Sequence, residues 1–306
     1  MQSVPIASPS VPTAPQGRIQ RTYPLGYSDG EFKRLEQQDL FLIDLTEDVL
    51  RRAGVAPGMR VLDVGCGVGS VSQLAAWLVG PSGAVLGIDR SREAIDSARR
   101  RTAAAGQHWA HFATVELESF SADETFDAVV GRLILTYLPD PIATLRRICR
   151  HVRPGGIIAF QEMTIPLLRS IPEGPQFRQC MDWIRQTLER SGADLDMGGR
   201  LFATFLTAGL PAPRMIAAGR VEGGPQSPIY NYLAETLRSL LPMAERVGVA
   251  TPAEVEIDSM AERLRQEALE SNACLMPPPL IGAWARKPAP WDRAWDRETR
   301  RGVNAD

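Results

Sequence analysis

Asp63 stands two residues ahead of three alternate glycines, Gly65, Gly67 and Gly69, in the stretch VLDVGCGVGS at residues 61–70. An apolar strand that runs into glycines lets its backbone come close to a ligand. A helix beginning just beyond aims its free N–H groups and the positive end of its dipole at the same spot. Here the helix begins near Ser70, with Val71, Leu74, Ala75 and Leu78 facing inward. Glycines so spaced favour a cofactor loop over a plain tight turn. A dinucleotide fingerprint, G-x-G-x-x-G, would place its third glycine where Ser70 stands, one residue past Gly69. Asp63 would also set a negative charge against a pyrophosphate, and like charges repel. A cationic ligand suits the position better.

Such a loop needs a parallel sheet behind it. Strand-like runs occur at 60–64 (RVLDV), 84–89 (AVLGID), 111–116 (HFATVE), 126–131 (FDAVVG) and 156–162 (GIIAFQE), with helical patterns between them. That alternation signifies an α/β fold, a doubly wound, mostly parallel sheet. Ser91 is a helix N-cap with Gly106 as its stop, and Asp140 followed by Pro141 opens another helix. Residues 31–53 form one or two helices ending at Gly54; beyond Met163, helical stretches surround two further strand-like runs at 213–221 and 280–287, making seven strands.

Composition narrows the partners. The 306 residues carry 34 Lys and Arg against 36 Asp and Glu, a net charge of −2 that draws in neither nucleic acid nor anionic lipid. A small-molecule partner is expected. No run reaches the ~20 apolar residues of a membrane span. Residues 1–22, rich in Pro and Ser, read as a disordered tail without a signal-peptide core, and 288–306 as a charged C-terminal tail. Cys66, Cys149, Cys180 and Cys274 contain no C-x-x-C pair and read as reduced thiols of a cytoplasmic protein. No metal site is expected.

The motifs VLDVGCGVG, GIDRS, FDAVVGR and RPGG, in this order, make the sequence similar to class I S-adenosylmethionine-dependent methyltransferases, especially bacterial small-molecule and secondary-metabolite ones, over roughly residues 55–163. The resemblance implies a Rossmann-like seven-stranded core with helical cap or lid insertions. The corresponding divisions are an N-terminal cap at 23–54, the cofactor core at 55–163, and a C-terminal part of the sheet at 164–287 carrying lid insertions at 164–195 and 226–272. It further implies that Gly65, Gly67 and Gly69 underlie the methionine and ribose of the cofactor, and that Asp63 orients its cationic amino end. Asp89 would accept the ribose hydroxyls and Arg90 flank the adenine. Glu116 and Leu117 would meet the adenine edge, with Glu118 as the alternative register. Arg132 and Leu133 would lie beside the methionine end, and Tyr27 and Gln38 would touch it from the N-terminal helix.

Methyl transfer from a sulfonium is an in-line displacement whose leaving group is already activated, so alignment in a dry pocket is the first requirement. A base helps where the acceptor is a hydroxyl or an acidic carbon. Glu162, in FQEM at the end of the fifth strand, is the candidate base; it and Gln161 point to opposite faces, so only one looks inward. His108, His111 and His151 take ordinary structural or surface places. Tyr137, Phe177, Trp183 and Tyr230 are candidates for an apolar acceptor pocket roofed by the long insertions. Oxygen, carbon and nitrogen acceptors all stay open, as does a homodimer. The rival readings are an NAD-dependent oxidoreductase on a related fold and a non-catalytic S-adenosylmethionine-binding protein.

Overall fold

In the computed structural model, residues 23–288 are described; the two predicted tails lie outside them, apart from residue 288. Val61 and Leu62 are adjacent in sequence and both fully buried, which requires cover on both faces of the strand they share. That strand is β1 (Arg60–Val64), the middle of a sheet completed by β2 (Ala84–Asp89), β3 (Ala110–Thr114), β4 (Phe126–Arg132), β5 (Val152–Met163), β7 (Arg214–Ala218) and β10 (Leu280–Arg286). The strand order is β3-β2-β1-β4-β5-β10-β7, and β10 alone runs antiparallel, hydrogen-bonded between β5 and β7. The seven strands expected from sequence are therefore present.

Alternate residues of each strand feed two cores. Val61, Ala128, Val130, Ile157 and Ala159 pack against α1 (Asp29–Ala53) and α2 (Ser70–Val79). Leu62, Val64, Val129, Ile158 and Phe160 pack against α4 (Pro141–Ile148) and α6 (Met197–Thr207). The punctuation read from sequence is realised in hydrogen bonds. Ser91 accepts from Ala94 N at 3.1 Å to open α3 (Arg92–Ala104), and Asp140 accepts from Ala143 N at 2.8 Å to open α4. Residues 29–53 form a single helix, closed by Gly54 at φ 95°.

The cap is one core assembled from three distant stretches. Phe41 and Leu42 of α1 pack with Phe177, Cys180 and Ile184 of α5 (Pro175–Arg190), with Leu233, Leu237 and Leu240 of α7 (Ile229–Arg246), and with Met260 and Leu264 of α9 (Ile257–Glu270). The helical run expected over 252–271 is broken: α8 (Pro252–Val255) ends where Glu256 takes φ 47°, and α9 restarts beyond it. A second sheet of three short strands, β6 (Arg169–Ile171), β8 (Glu222–Gly223) and β9 (Cys274–Met276), ties the insertions together in the order β6-β9-β8. Among the described residues no helix is long and apolar enough to cross a membrane.

Candidate cofactor and acceptor site

The carboxyl ends of β1, β2, β4 and β5 meet beneath α1 and the cap. At the centre is the glycine loop, where Gly65, Gly67 and Gly69 hold φ of 67°, 51° and 83°. Left-handed backbone of this kind costs a side-chain-bearing residue about 1–2 kcal/mol. The surroundings of the three glycines differ. A β-carbon at Gly65 would stand 2.6 Å from Cδ1 of Ile134, and one at Gly69 2.8 Å from Cβ of Ala98. At Gly67 only Leu35 Cδ1 comes near, at 3.8 Å. Gly69 thus lets α3 pack closely and Gly65 seats Ile134, while Gly67 is crowded by no neighbour. Gly65→Ala is expected to lower stability by about 2–4 kcal/mol, from backbone strain and the displaced Ile134 together. Thermal denaturation checks this, and an unchanged midpoint would mean that Ile134 repacks freely.

Asp63 lies on the β1 face covered by α2. It is 1% exposed, and Ser72 Oγ donates to its Oδ2 at 2.6 Å. Burial pushes its carboxyl up to about 7, with Ser72 and Arg132 pulling the other way. Asp89 closes β2: its Oδ2 accepts from Gly67 N and its Oδ1 from Ser91 N, each at 2.9 Å. Burial raises this carboxyl too, against those N–H groups. Each Asp89 oxygen retains acceptor capacity for a ligand hydroxyl.

A rim of predicted residues surrounds Asp89. Arg90 Nε donates to Tyr27 Oη at 2.6 Å, and the guanidinium stands 5.7 Å from the Tyr27 ring centre. Burial raises the Tyr27 phenol, Arg90 opposes this, and Asp89 and Glu116 add to it, so the four groups are neighbours. Glu116 is exposed at the rim and Leu117 is half-buried at the start of the single turn Leu117–Ser119.

At the other end, Arg132 reaches α1 rather than open space: its Nη2 donates to Asp39 Oδ1 at 2.5 Å and its Nη1 to Thr46 Oγ1 at 3.1 Å. The next residue, Leu133, takes φ 56°, a conformation rare for leucine and characteristic of strained functional turns. Gln38 is 6% exposed and belongs to a buried network. Arg34 donates to both Glu31 oxygens at 2.7 Å and to Gln38 Oε1 at 2.6 Å, and Tyr23 Oη donates to Glu31 Oε1 at 3.3 Å.

Glu162 and Gln161 indeed face opposite ways. Gln161 shares the α1 side with Arg132, its Nε2 3.5 Å from Leu45 O. Glu162 lies on the α4 and α6 side, fully buried, with Oε1 accepting from Ile134 N at 3.0 Å and Leu135 N at 2.7 Å. Its Oε2 is buried without a hydrogen-bond partner among the described residues, and burial pushes the carboxyl up to about 8. These bonds anchor the loop between β4 and α4 on the candidate base Glu162.

The pocket candidates separate. Tyr137 sits at the strand edge, stacked edge-on to Tyr23 with ring centres 5.0 Å apart. Trp183 is half-buried against the cap core. Phe177 lines a small crevice between α5, α9 and the small sheet. Tyr230 points its hydroxyl at Gly224 O, 3.2 Å away beside the small sheet. Both are aromatic residues of the insertions and lie buried in the cap core beside the small sheet. The residues that sequence reasoning missed are Tyr23, Glu31, Asp39, Ser72 and Tyr232. Glu31 shares the helical face of Arg34 and Gln38, a signal present in their spacing, whereas a tyrosine within an amphipathic helix looks like core.

An open parallel sheet with acids flanking a glycine loop at its carboxyl edge defines a Rossmann-like nucleotide-cofactor domain. A family model described as a methyltransferase domain matches residues 56–192. Ubiquinone biosynthesis O-methyltransferase of Vibrio cholerae is 30% identical over 160 residues, covering 48% of this chain and 63% of the relative. Methyltransferase GfsG of Streptomyces halstedii is 34% identical over 124 residues, 40% of this chain and 44% of that protein. The chain thus spans less than two thirds of the length of these curated relatives. A Bacillus halodurans structure described as a methyltransferase superposes with a TM-score of 0.54 at 16% identity, over 80% of this chain and 99% of its own. That likeness speaks to the fold. Residues 56–192 are thus similar to a methyltransferase domain, set on a Rossmann-like fold.

Proposed function

We propose that the protein transfers the methyl group of S-adenosylmethionine to an oxygen of a small, partly apolar acceptor and releases S-adenosylhomocysteine. The observation that carries this is the pairing of Asp63 and Asp89 across a glycine loop whose middle glycine is open to a ligand. The donor set fits the cofactor. Asp63 offers a carboxylate to its amino group, Asp89 offers acceptor oxygens to two ribose hydroxyls, and Tyr27, Arg90, Glu116 and Leu117 frame the place for a base. When bound, the cofactor supplies an electrophilic methyl group. The chain's own residues orient the acceptor, keep water away under the cap and hold the loop in register.

Oxygen is preferred over carbon or nitrogen because the V. cholerae relative is an O-methyltransferase and the cap core is apolar. The near-neutral overall charge supports a small molecule over nucleic acid as acceptor. Four free cysteines, three of them buried, suit a reducing, cytoplasmic setting.

Calorimetric titration with S-adenosylhomocysteine, with NAD as the control, tests the reading. Micromolar binding of the former alone is expected; binding of NAD alone would overturn it. The affinity is also expected to depend on pH. With its carboxyl pushed up to about 7, Asp63 is largely neutral at pH 6 and ionised at pH 8. A charged partner for the ligand's ammonium therefore forms as pH rises, so affinity should climb between pH 6 and 8 and then level off. Asp63→Asn keeps a group to accept from Ser72 and should abolish the climb; a variant with the same climb would assign it to another group.

A further inference from the structure

The glycine loop and α1 are bridged by a side chain that belongs to neither, Arg101 in the last turn of α3. The edges of its guanidinium face different ways. Nη1 donates to Val68 O at 2.7 Å and to Ser70 Oγ at 3.1 Å, which fixes this edge on the loop and on the first residue of α2. Nε stands 3.7 Å from Glu36 Oε1 and Nη2 3.8 Å from Asp39 Oδ2, both carboxylates of α1. Asp39 is itself divided. Its Oδ1 accepts from Arg132 at the end of β4, while its Oδ2 is buried with no hydrogen-bond partner among the described residues. That oxygen faces Arg101 across a gap about 1 Å too long for a charge-assisted hydrogen bond.

The place of this bridge gives it a role. Leu35 Cδ1 lies 3.8 Å from where a β-carbon of Gly67 would stand, so the stretch of α1 that carries Glu36 and Asp39 also overlies the loop. A cofactor resting on Gly67 and Asp89 is enclosed between loop and helix and leaves only when they part. We infer that Arg101 is a positioning residue that latches α1 to the glycine loop and slows the departure of the bound cofactor. This rests on the S-adenosylmethionine reading of the site. Arginine suits the task because a planar guanidinium presents two donor edges at once, whereas a single ammonium serves either the loop or the acids. Drawing α1 about 1 Å closer would give the stranded Asp39 oxygen its missing donor, so the latch has room to tighten. The ion pair with Glu36 is partly exposed, Arg101 at 26% and Glu36 at 48%, and adds little to folding. Its weight falls instead on the separation of α1 from the loop.

Surface plasmon resonance on the immobilised full chain reads association and dissociation of S-adenosylhomocysteine separately. Arg101→Gln is expected to speed dissociation about tenfold, and Arg101→Lys about fivefold, since lysine recovers one direction only. Glu36→Gln, which leaves the bonds to Val68 and Ser70 intact, should speed it about threefold with an unchanged melting temperature. The double variant Arg101→Gln/Glu36→Gln should dissociate no faster than Arg101→Gln alone, because both changes remove the same contact. Raising the salt to about 0.5 M should speed dissociation from the wild type about threefold and leave Arg101→Gln nearly unaffected. Unaltered dissociation from Glu36→Gln, additive effects in the double variant, or a salt response that survives in Arg101→Gln would overturn the latch and leave Arg101 as a cap on Val68 O. In each of those cases retained S-adenosylhomocysteine binding keeps the methyltransferase reading standing. Failure of the wild type to bind S-adenosylhomocysteine would overturn both. Should Arg101→Gln not fold, Glu36→Gln and the salt series on the wild type decide the question.

Discussion

Asp89→Ala is expected to weaken S-adenosylhomocysteine binding by roughly 2–3 kcal/mol, the loss of charge-assisted hydrogen bonds to two ribose hydroxyls. The structure adds a second consequence, because the same carboxylate holds Gly67 N and Ser91 N. Removing it unpairs two backbone donors, one in the glycine loop and one at the start of α3, and should lower stability by about 1–3 kcal/mol. Asp89→Asn separates the effects. Its amide oxygen keeps one backbone N–H while its NH2 faces the other donor, so folding recovers in part and the ribose loses the charged acceptor. Affinity by calorimetry and stability by thermal denaturation read the two quantities independently. An alanine variant with normal affinity would mean that the ribose is held elsewhere on the rim.

The parts of the fold that were legible in the sequence are those with period and punctuation. Strands such as RVLDV and GIIAFQE are buried on both faces and stand out as continuous apolar runs, and Ser91, Asp140 and Gly54 mark helix ends through their own side chains or backbone freedom. The three strands of the small sheet are two or three residues long, too short for any period to show. The break at Glu256 was hidden because a left-handed glutamate carries no signature comparable to glycine's.

Site residues followed the same rule. Asp63, Asp89 and the glycines stand at the strand ends and in the loop where the sequence put them, because strand ends are displayed in the sequence. Tyr137 and Tyr230 look alike as letters, yet one lies at the strand edge and the other bonds Gly224 beside the small sheet. Which way a cap helix turns is decided by packing among α1, α5, α7 and α9, contacts separated by up to two hundred or so residues, and no local pattern encodes it. Arg132 met Asp39 for a related reason: the carboxylate it pairs with comes from α1, whose docking only the assembled cap determines.

Glu162 is expected to govern how stability varies with pH. Its folded carboxyl is pushed up to about 8 from an ordinary 4.5, burial being the leading cause, opposed by the N–H groups of Leu135 and Ile134 and reinforced by Asp194. A carboxyl that holds its proton more tightly when folded stabilises the protein fully below its unfolded value. That contribution is lost progressively as pH rises through about 4.5 to 8. A shift of this size corresponds to about 3–5 kcal/mol over the range. Glu162→Gln keeps a carbonyl oxygen for Ile134 N and Leu135 N and cannot ionise. Its melting temperature should match that of the wild type near pH 5 and exceed it increasingly toward pH 8. Glu162→Ala strands both N–H groups beside a cavity and should be the least stable of the three at pH 5, by about 2–5 kcal/mol. Denaturation of the three proteins across this range is the measurement; a glutamine variant that tracks the wild type throughout would show that Glu162 does not titrate on folding. Turnover then separates anchor from base. An anchor replaced by its neutral isostere keeps the β4 loop, and with it Tyr137, in place and leaves methyl transfer near normal, whereas a base replaced by glutamine can no longer take the acceptor's proton.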